Sequence, residues 1–169
     1  MFTSRRLIVY VVLALLLVVG VSSVAAAPAS SHEVVRETVS FAIPADQCAS
    51  LPAGVSVSGT GEKVKVTNTR TMPDGSTEIF ISDLVKGTAT DSNGGSHTFL
   101  YQNSSTETIP PSGQHRVSMT DSFVLSGPGP HFSVGFNWRW TYTPPDYWPP
   151  VDNFEKISTR GDPFTCDPL

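Results

Sequence analysis

The stretch Phe132–Thr143 reads FSVGFNWRWTYT and is the strongest indication of fold class in this chain. Every second position is apolar or aromatic, namely Phe132, Val134, Phe136, Trp138, Trp140 and Tyr142. The positions between them are small or polar, and this period of two is typical of a half-buried β-strand. Because each large aromatic side chain buries roughly 150–250 Å², the rest of the chain must supply a cover for this face.

Further alternating runs occur on both sides of this strand, separated by turn residues, at 33–43, 55–59, 62–71, 78–90, 96–105, 115–125 and 153–160. In the run 62–71 we expect Val64 and Val66 to face the core, and we expect 106–113 to be a loop. After residue 27 there is no helical periodicity over 11 residues. The pattern predicts an all-β fold, a single antiparallel β-barrel or sandwich of about 7–9 strands.

The first 27 residues have the order of a secretory signal peptide. Arg5 and Arg6 precede an apolar run over 7–19, and small residues follow up to Ala27. The apolar run is shorter than the ~20 residues that a membrane span needs. We therefore expect a signal peptide over 1–27 and a secreted or extracellular protein without a stable membrane span after cleavage, with an uncleaved signal anchor as the alternative.

After the signal peptide we expect an N-terminal strand with a flexible lead-in over 28–44, and then the β-domain over 45–169. The full sequence has 11 basic and 15 acidic residues and a net charge of −4. Residues 1–27 contain two arginines and no acidic residue, so 9 basic and 15 acidic residues remain, a net charge of −6. This sign argues against nucleic acid as a partner, because nucleic acids are bound by basic surfaces.

The two cysteines, Cys48 and Cys166, lie near the two ends of the expected domain. An even pair in an exported chain predicts a disulfide, and two buried thiols are the alternative. The absence of a C-x-x-C spacing argues against redox catalysis.

The order of several motifs resembles that of small exported β-rich proteins of high-GC Gram-positive bacteria, a group with no assigned biochemical activity. Cys48 leads into V-x-V-x-G at 55–59, and P-D-G follows at 73–75; Gly-Pro-Gly at 127–129 precedes the aromatic strand, and T-R-G-x-x-x-x-C ends at Cys166. The resemblance covers about residues 45–169 and implies a compact antiparallel barrel or sandwich with a Cys48–Cys166 bridge. It implies no functional residues, and the chain departs from the group in its PPDYWPP segment.

Signatures of catalysis and of metal binding are missing from the sequence. There is no G-x-S-x-G, no S-x-x-K and no glycine-rich loop opening a helix, so we expect no catalytic residues and no cofactor. The four histidines, His32, His97, His115 and His131, lack metal-ligand spacing. We expect them to lie at strand ends in solvent, and we expect no metal site.

Three acidic residues share a strand face with apolar residues, namely Glu37, Asp83 and Asp121. A carboxylate inside a core is costly unless it is paired, so a group of them lining a wet cavity would be a binding site or an active site. The favoured interpretation is instead a rim position, or a β-bulge at Asp121-Ser122 that returns the acid to solvent.

Six residues are candidates for ligand binding: Glu37, Asp121, Trp138, Trp140, Tyr147 and Trp148. Prolines frame Tyr147 and Trp148, which form either an exposed aromatic tip or, as we favour, a lid over the end of the barrel. The leading hypothesis is an exported binding or interaction module whose partner is a hydrophobic small molecule, a glycan or a surface protein. A structural extracellular protein ranks second, and a small-barrel enzyme of the cyclase or isomerase type that uses the inward acids ranks third.

Overall fold

The computed structural model describes residues 29–144 and 153–169. The expected signal peptide lies outside the described residues, as do Tyr147 and Trp148. The elements are β1 (Ser30–Ile43), β2 (Val57–Thr71), β3 (Thr77–Asp91), β4 (Ser96–Ile109), β5 (His115–Ser126), β6 (Phe132–Tyr142), β7 (Phe154–Arg160) and the short helix α1 (Pro163–Cys166). No helix in this part of the chain is long and apolar enough to cross a membrane.

The seven strands form one sheet in the order β1-β2-β3-β4-β5-β6-β7, and every neighbouring pair is antiparallel. The predicted all-β class and the antiparallel pairing of the strands are therefore confirmed. The prediction was a barrel or a sandwich, whereas the described strands form a single sheet that does not close into a barrel, with β1 and β7 as its two edges.

Two strand boundaries differ from those expected from the sequence. Residues 57–59 of the first run and the whole run 62–71 belong to one strand, β2, because Gly61 stays in the ladder opposite Val39 and Gly87. Strand β4 continues to Ile109, into the segment expected to be a loop, since these residues pair with both β3 and β5. Polar composition alone therefore did not mark the end of a strand.

The sheet is strongly rolled at the end where β1 finishes. The rings of Phe41 on β1 and Phe99 on β4 lie 4.8 Å apart, and the rings of Phe41 and Phe123 lie 5.5 Å apart. Three strand spacings in a flat sheet would separate β1 from β4 by about 14 Å. The face that carries these rings is therefore the concave face of the sheet.

Glycines on the concave face make room for this roll. A Cβ atom at Gly61 would lie 2.7 Å from Phe99 Cζ, and one at Gly87 would lie 2.5 Å from Phe99 Cε1. A Cβ atom at Gly59 would lie 2.6 Å from Phe41 Cε1. The two rings thus occupy the space that side chains on β2 and β3 would otherwise fill.

The core lies in the rolled half of the concave face. Its buried residues come from the strands, from the β1–β2 connection and from α1: Phe41, Ile43, Cys48, Leu51, Val57, Val85, Ala89, Phe99, Tyr101, Phe123, Leu125, Val134 and Cys166. The predicted disulfide is confirmed, and it joins Cys48 in that connection to Cys166 in α1. The last segment of the chain is therefore attached to the first turn after β1.

A second buried cluster contains Trp138, Trp140 and Tyr142 of β6. Phe154 of β7 and Phe164 of α1 contribute to its cover, with their rings 5.1 Å and 5.4 Å from the Trp138 ring. The aromatic face of β6 is thus covered in part by residues that follow β6 in the chain.

The other half of the sheet is a single layer. Residues 30–38 of β1 are exposed, and the second half of β2 and the first half of β3 are mostly half-buried. Val64 and Val66 lie on the convex face, opposite to the expectation, whereas Lys63 and Lys65 lie on the concave face. The register explains this, because Gly59 opposite Phe41 fixes which alternate residues of β2 face inward.

Candidate functional site

A row of polar side chains crosses the middle of the concave face from β1 to β5. It consists of Glu37, Lys63, Asp83, Asn103 and Asp121, which we call the polar row. Glu37 pairs with Lys63 across β1 and β2, and Asn103 stands between Asp83 and Asp121 in the register of β3, β4 and β5. The sheet thus brings together the three acidic residues that the sequence placed on inward faces.

Lys63 links the first three members of the polar row. Its Nζ lies 3.5 Å from Glu37 Oε1 and 3.6 Å from Asp83 Oδ2. The Glu37 side chain is 52% exposed, so it takes the rim position that the sequence allowed, whereas Asp83 is mostly covered. Ion pairs this exposed contribute about 0–1 kcal/mol and chiefly fix the orientation of the side chains.

Asp121 lies at the buried end of the polar row. It stays in register, opposite Asn103 and Phe136, and the residue is 6% exposed. The interpretation of a bulge at Asp121-Ser122 is therefore wrong, and the register shift lies instead at Asn137/Trp138. Asp121 tolerates burial because Tyr101 and Asn103 donate to its Oδ2, at 2.8 and 2.7 Å.

Asp167 approaches Asp121 from the C-terminal segment. Its carboxyl lies close enough to that of Asp121 for the two groups to interact, and Leu169 N–H donates to its Oδ1 at 3.1 Å. Burial, followed by the bond to Asp121 and the charge of Asp121, raises the pKa of Asp167 to about 8. Burial is likewise the main cause that raises the pKa of Tyr101 above its ordinary value, and the charge of Asp121 adds to it.

The histidines do not all lie in solvent. His97 is buried, and its Nε2 lies 2.8 Å from Asp91 Oδ2. This bond is the main cause that lowers the pKa of Asp91 below its ordinary value, with a further contribution from the Gly95 N–H. The prediction that the histidines lie in solvent is wrong for His97. Asp91 accepts backbone hydrogen bonds within the tight turn between β3 and β4, and it also pairs with the His97 ring.

A second polar cluster lies on the concave face at the opposite end of β4. Glu107 Oε1 is 2.6 Å from His115 Nδ1, and it also accepts a hydrogen bond from the Tyr142 hydroxyl. This cluster joins the ends of β4, β5 and β6. Across the described residues, no group of three or more His, Cys, Asp and Glu side chains is placed to hold a metal ion.

The aromatic candidates do not form an open binding surface in the described part of the chain. Trp138 is 5% exposed and Trp140 is 7% exposed, so their faces are covered. Tyr147 and Trp148 lie outside the described residues, and their role as tip or lid stays a prediction.

The convex face of the open half carries an apolar patch that sequence reasoning missed. Its members lie on four adjacent strands, and we call them the convex patch: Val34, Val64, Val66, Phe80, Leu84 and Leu100. Val34 stands opposite Val66, and Val64 stands opposite Leu84. Phe80 and Leu100 are diagonal neighbours of Val66 and Leu84, and Leu100 stands opposite Lys86. Within the described residues, the principal contacts between elements link strands that are neighbours in the sheet, or link α1 to β5 and β6.

Strand β3 is the centre of the convex patch and is apolar on both faces. Phe80 and Leu84 face the convex side, whereas Ile79, Ile81 and Val85 face the concave side. A strand of this kind is typical of a sheet that is covered on both faces. The run EIFISDLV carries this signal in the sequence. The sequence prediction used only the residues of one face, which include Asp83, and overlooked Phe80 and Leu84 on the other face.

Comparison with protein-family models, with curated proteins and with solved structures finds no match for this chain. The residues of the polar row and of the convex patch must therefore be interpreted from their own geometry. Sequence reasoning identified Glu37, Asp83 and Asp121, but it missed Tyr101, Asn103 and Asp167. Asp167 lies in a short non-repeating segment, where periodicity gives no indication of which way a side chain points.

Proposed function

We propose that this protein is an exported binding module that docks a partner protein on the convex patch. The observation that carries the proposal is that the central strand β3 places the half-buried Phe80 and Leu84 on a face against which no other described element makes a principal contact. Burial of apolar area at such a patch contributes roughly 25 cal/mol per Å². Contiguous apolar surface of this kind is typical of interaction sites on proteins.

The edges of the sheet are less suited to docking than its convex face. The β1 edge carries Glu33, Arg36 and Glu37, and the β7 edge carries Glu155 and Lys156. Charged residues on an edge strand oppose pairing with another chain. The convex patch has no charge at its centre, so packing on the face of the sheet is favoured over extension of the sheet.

The charges around the convex patch define the chemistry of the partner. Arg36 borders it on β1, an Arg70–Glu78 ion pair of 2.8 Å borders it at the hairpin end, and Glu62 and Lys86 border it at the other end. An apolar centre with a rim of both charge signs is the usual arrangement of a protein–protein interface. The partner surface therefore has an apolar centre and a rim with charges of both signs.

The other partner classes fit the described surface less well. A glycan requires open aromatic faces for stacking, whereas Trp138 and Trp140 are covered and Phe164 is the one strongly exposed aromatic ring among the described residues. A small apolar molecule requires a concave site that surrounds most of it, whereas the convex patch curves outward. An enzyme is the weakest alternative, because Asp121 is buried, and because the two carboxylate oxygens without a donor, Asp121 Oδ1 and Asp167 Oδ2, are buried as well and out of reach of a substrate.

The accessibility of the patch is tested with the apolar dye 1-anilinonaphthalene-8-sulfonate and the folded protein. We expect dye fluorescence to rise on the wild-type protein, and to rise less on Phe80→Ser and Leu84→Ser. Thr88→Ser, on the same convex face but outside the patch, is the matched control and should bind as wild type does. Equal dye binding by all four proteins, or no binding by the wild type, would reject the patch as an open apolar surface.

A further inference from the structure

The C-terminal segment is attached to the sheet at two points before it reaches Asp167. The disulfide fixes Cys166 to Cys48, and the Phe164 ring packs 5.4 Å from the Trp138 ring. These attachments hold α1 against β5 and β6. They place Asp167 over the buried end of the polar row, on the face opposite the convex patch.

The contact between Asp121 and Asp167 requires a proton. Asp121 Oδ2 accepts from Tyr101 and Asn103, whereas Asp121 Oδ1 and Asp167 Oδ2 are buried and have no hydrogen-bond donor among the described residues. Two carboxylate oxygens repel each other unless a proton lies between them. One shared proton gives each of these two oxygens its missing partner.

The proton belongs to Asp167. Asp121 Oδ2 accepts from two side-chain donors, Tyr101 and Asn103, whereas Asp167 accepts only from the Leu169 N–H, so Asp167 is the carboxyl that gains most from a proton. A bound cation is a poorer explanation than a proton, because Asp83, the nearest further acid in the polar row, is two strand spacings away, about 10 Å. The described residues also contain no group of three ligands for a metal.

We propose that this shared proton is a pH-sensitive fastening that holds residues 167–169 over the polar row and uncovers Asp121 when it is lost. The charged and titratable groups that face the pair are Tyr101 from β4 and Asp83 from β3, with Lys63 of β2 bound to Asp83. Strand β6 presents the apolar rings of Phe136 and Trp138. No cation among these groups replaces the proton between the two acids.

The direction of the pH dependence follows from the pKa of Asp167. Its pKa is about 8 in the folded protein, against 3.8 for a free aspartate. A raised pKa on an acid means that the fastened state holds a proton that the released state loses. The fastening is therefore complete below about pH 4, weakens as the pH rises, and is lost above about pH 8.

Nuclear magnetic resonance on the oxidised protein tests this fastening. We expect one aspartate carboxyl carbon, that of Asp167, to titrate with a midpoint near 8. The heteronuclear NOE of the Leu169 amide should fall over the same pH range, since loss of order is expected only beyond the disulfide. Asp167→Asn keeps a neutral donor to Asp121, so its Leu169 amide should stay ordered at every pH.

Asp162→Asn is the matched control, because it removes one acid from the same segment and leaves the carboxyl pair intact. It should titrate as the wild type does. A midpoint near 4 for Asp167, or the same loss of order in Asp167→Asn as in the wild type, would overturn the fastening. So would retention of order above pH 8, loss of order across the whole sheet at the same pH, or order at Leu169 that depends on added Ca²⁺ and not on pH. This proposal concerns the concave face and stands or falls independently of docking on the convex patch.

Discussion

Gly87 shows how one missing side chain determines the curvature of the sheet. A Cβ atom at this position would lie 2.1 Å from Thr60 O and 2.5 Å from Phe99 Cε1. The first of these neighbours is backbone and cannot move aside without disturbing the ladder between β2 and β3. The contact between Phe41 and Phe99 therefore depends on the absence of a side chain at Gly87.

We expect Gly87→Ala to lower the free energy of unfolding by about 1–3 kcal/mol, the usual cost of overpacking a core. Urea denaturation followed by tryptophan fluorescence measures the change. Thr88→Ala, at the adjacent exposed position, is the control and should stay within about 0.5 kcal/mol of the wild type. If Gly87→Ala were as stable as this control, the close approach of the ring would not be a constraint.

A second prediction at the residue scale concerns the donors to Asp121. Tyr101→Phe keeps the ring in the core but removes the hydroxyl that donates to Asp121 Oδ2 at 2.8 Å. Because the acceptor remains buried, we expect a loss of about 1–3 kcal/mol in the free energy of unfolding, measured by urea denaturation.

Gln102→Ala, at the neighbouring exposed position, is the control for Tyr101→Phe and should change stability by less than about 0.5 kcal/mol. The double variant Tyr101→Phe/Asn103→Ala should deviate from additivity, since both side chains donate to the same oxygen. Strict additivity with a small loss would mean that water replaces the missing donors.

At the scale of elements, the disulfide joins α1 to the connection after β1 across a sequence separation of 118 residues. In the chain-entropy model, closing a loop of this length stabilises the fold by about 4–5 kcal/mol. We expect Cys48→Ser/Cys166→Ser to lose a comparable amount, measured by urea denaturation with and without reductant.

The reductant should have no effect on the double serine variant and should bring the wild type to the same stability. A loss below about 1 kcal/mol would show that α1 holds its place through Phe164 and Trp138 without the covalent link.

The sequence predicted the strands because alternation is a local property. The pattern FSVGFNWRWTYT predicted β6 to within one residue, and the turn residues between the runs 62–71 and 78–90 correctly separated β2 from β3. The faces were harder to predict, because the inward face depends on pairing between distant strands. Lys63 and Val64 lie on the faces opposite to those expected, because Phe41 pairs with Gly59 and this register determines which residues of β2 face inward.

The candidate site was predictable only in part for a related reason. Glu37, Asp83 and Asp121 stood out because each interrupts an apolar face, and this signal is present in the sequence. The pairing of Asp121 with Asp167 depends on the disulfide geometry that returns the chain end to β5. No periodic pattern in the sequence indicates that the chain end returns to β5. Likewise, none indicates that Asp91 pairs with the buried His97.

At the scale of the whole molecule, the sheet has two unequal halves. The rolled half contains a core of aromatic and aliphatic side chains, closed by the disulfide, whereas the open half is a single layer with apolar residues on both faces. A sheet generally needs a hydrophobic face that packs against a second layer for independent stability. In the rolled half the sheet packs against itself across its concave face. In the open half, a partner protein on the convex patch would form the second layer.

Site-resolved photo-crosslinking in cells that produce the protein is the most direct test of this account. A benzoyl-phenylalanine replaces Phe80 or Leu84 in the convex patch, or Thr88 or Thr120 elsewhere on the same convex face. We predict a discrete adduct with another protein chain from positions 80 and 84 and none from positions 88 and 120. Absence of an adduct at both patch positions, or equal adducts at all four positions, would contradict docking on the convex patch.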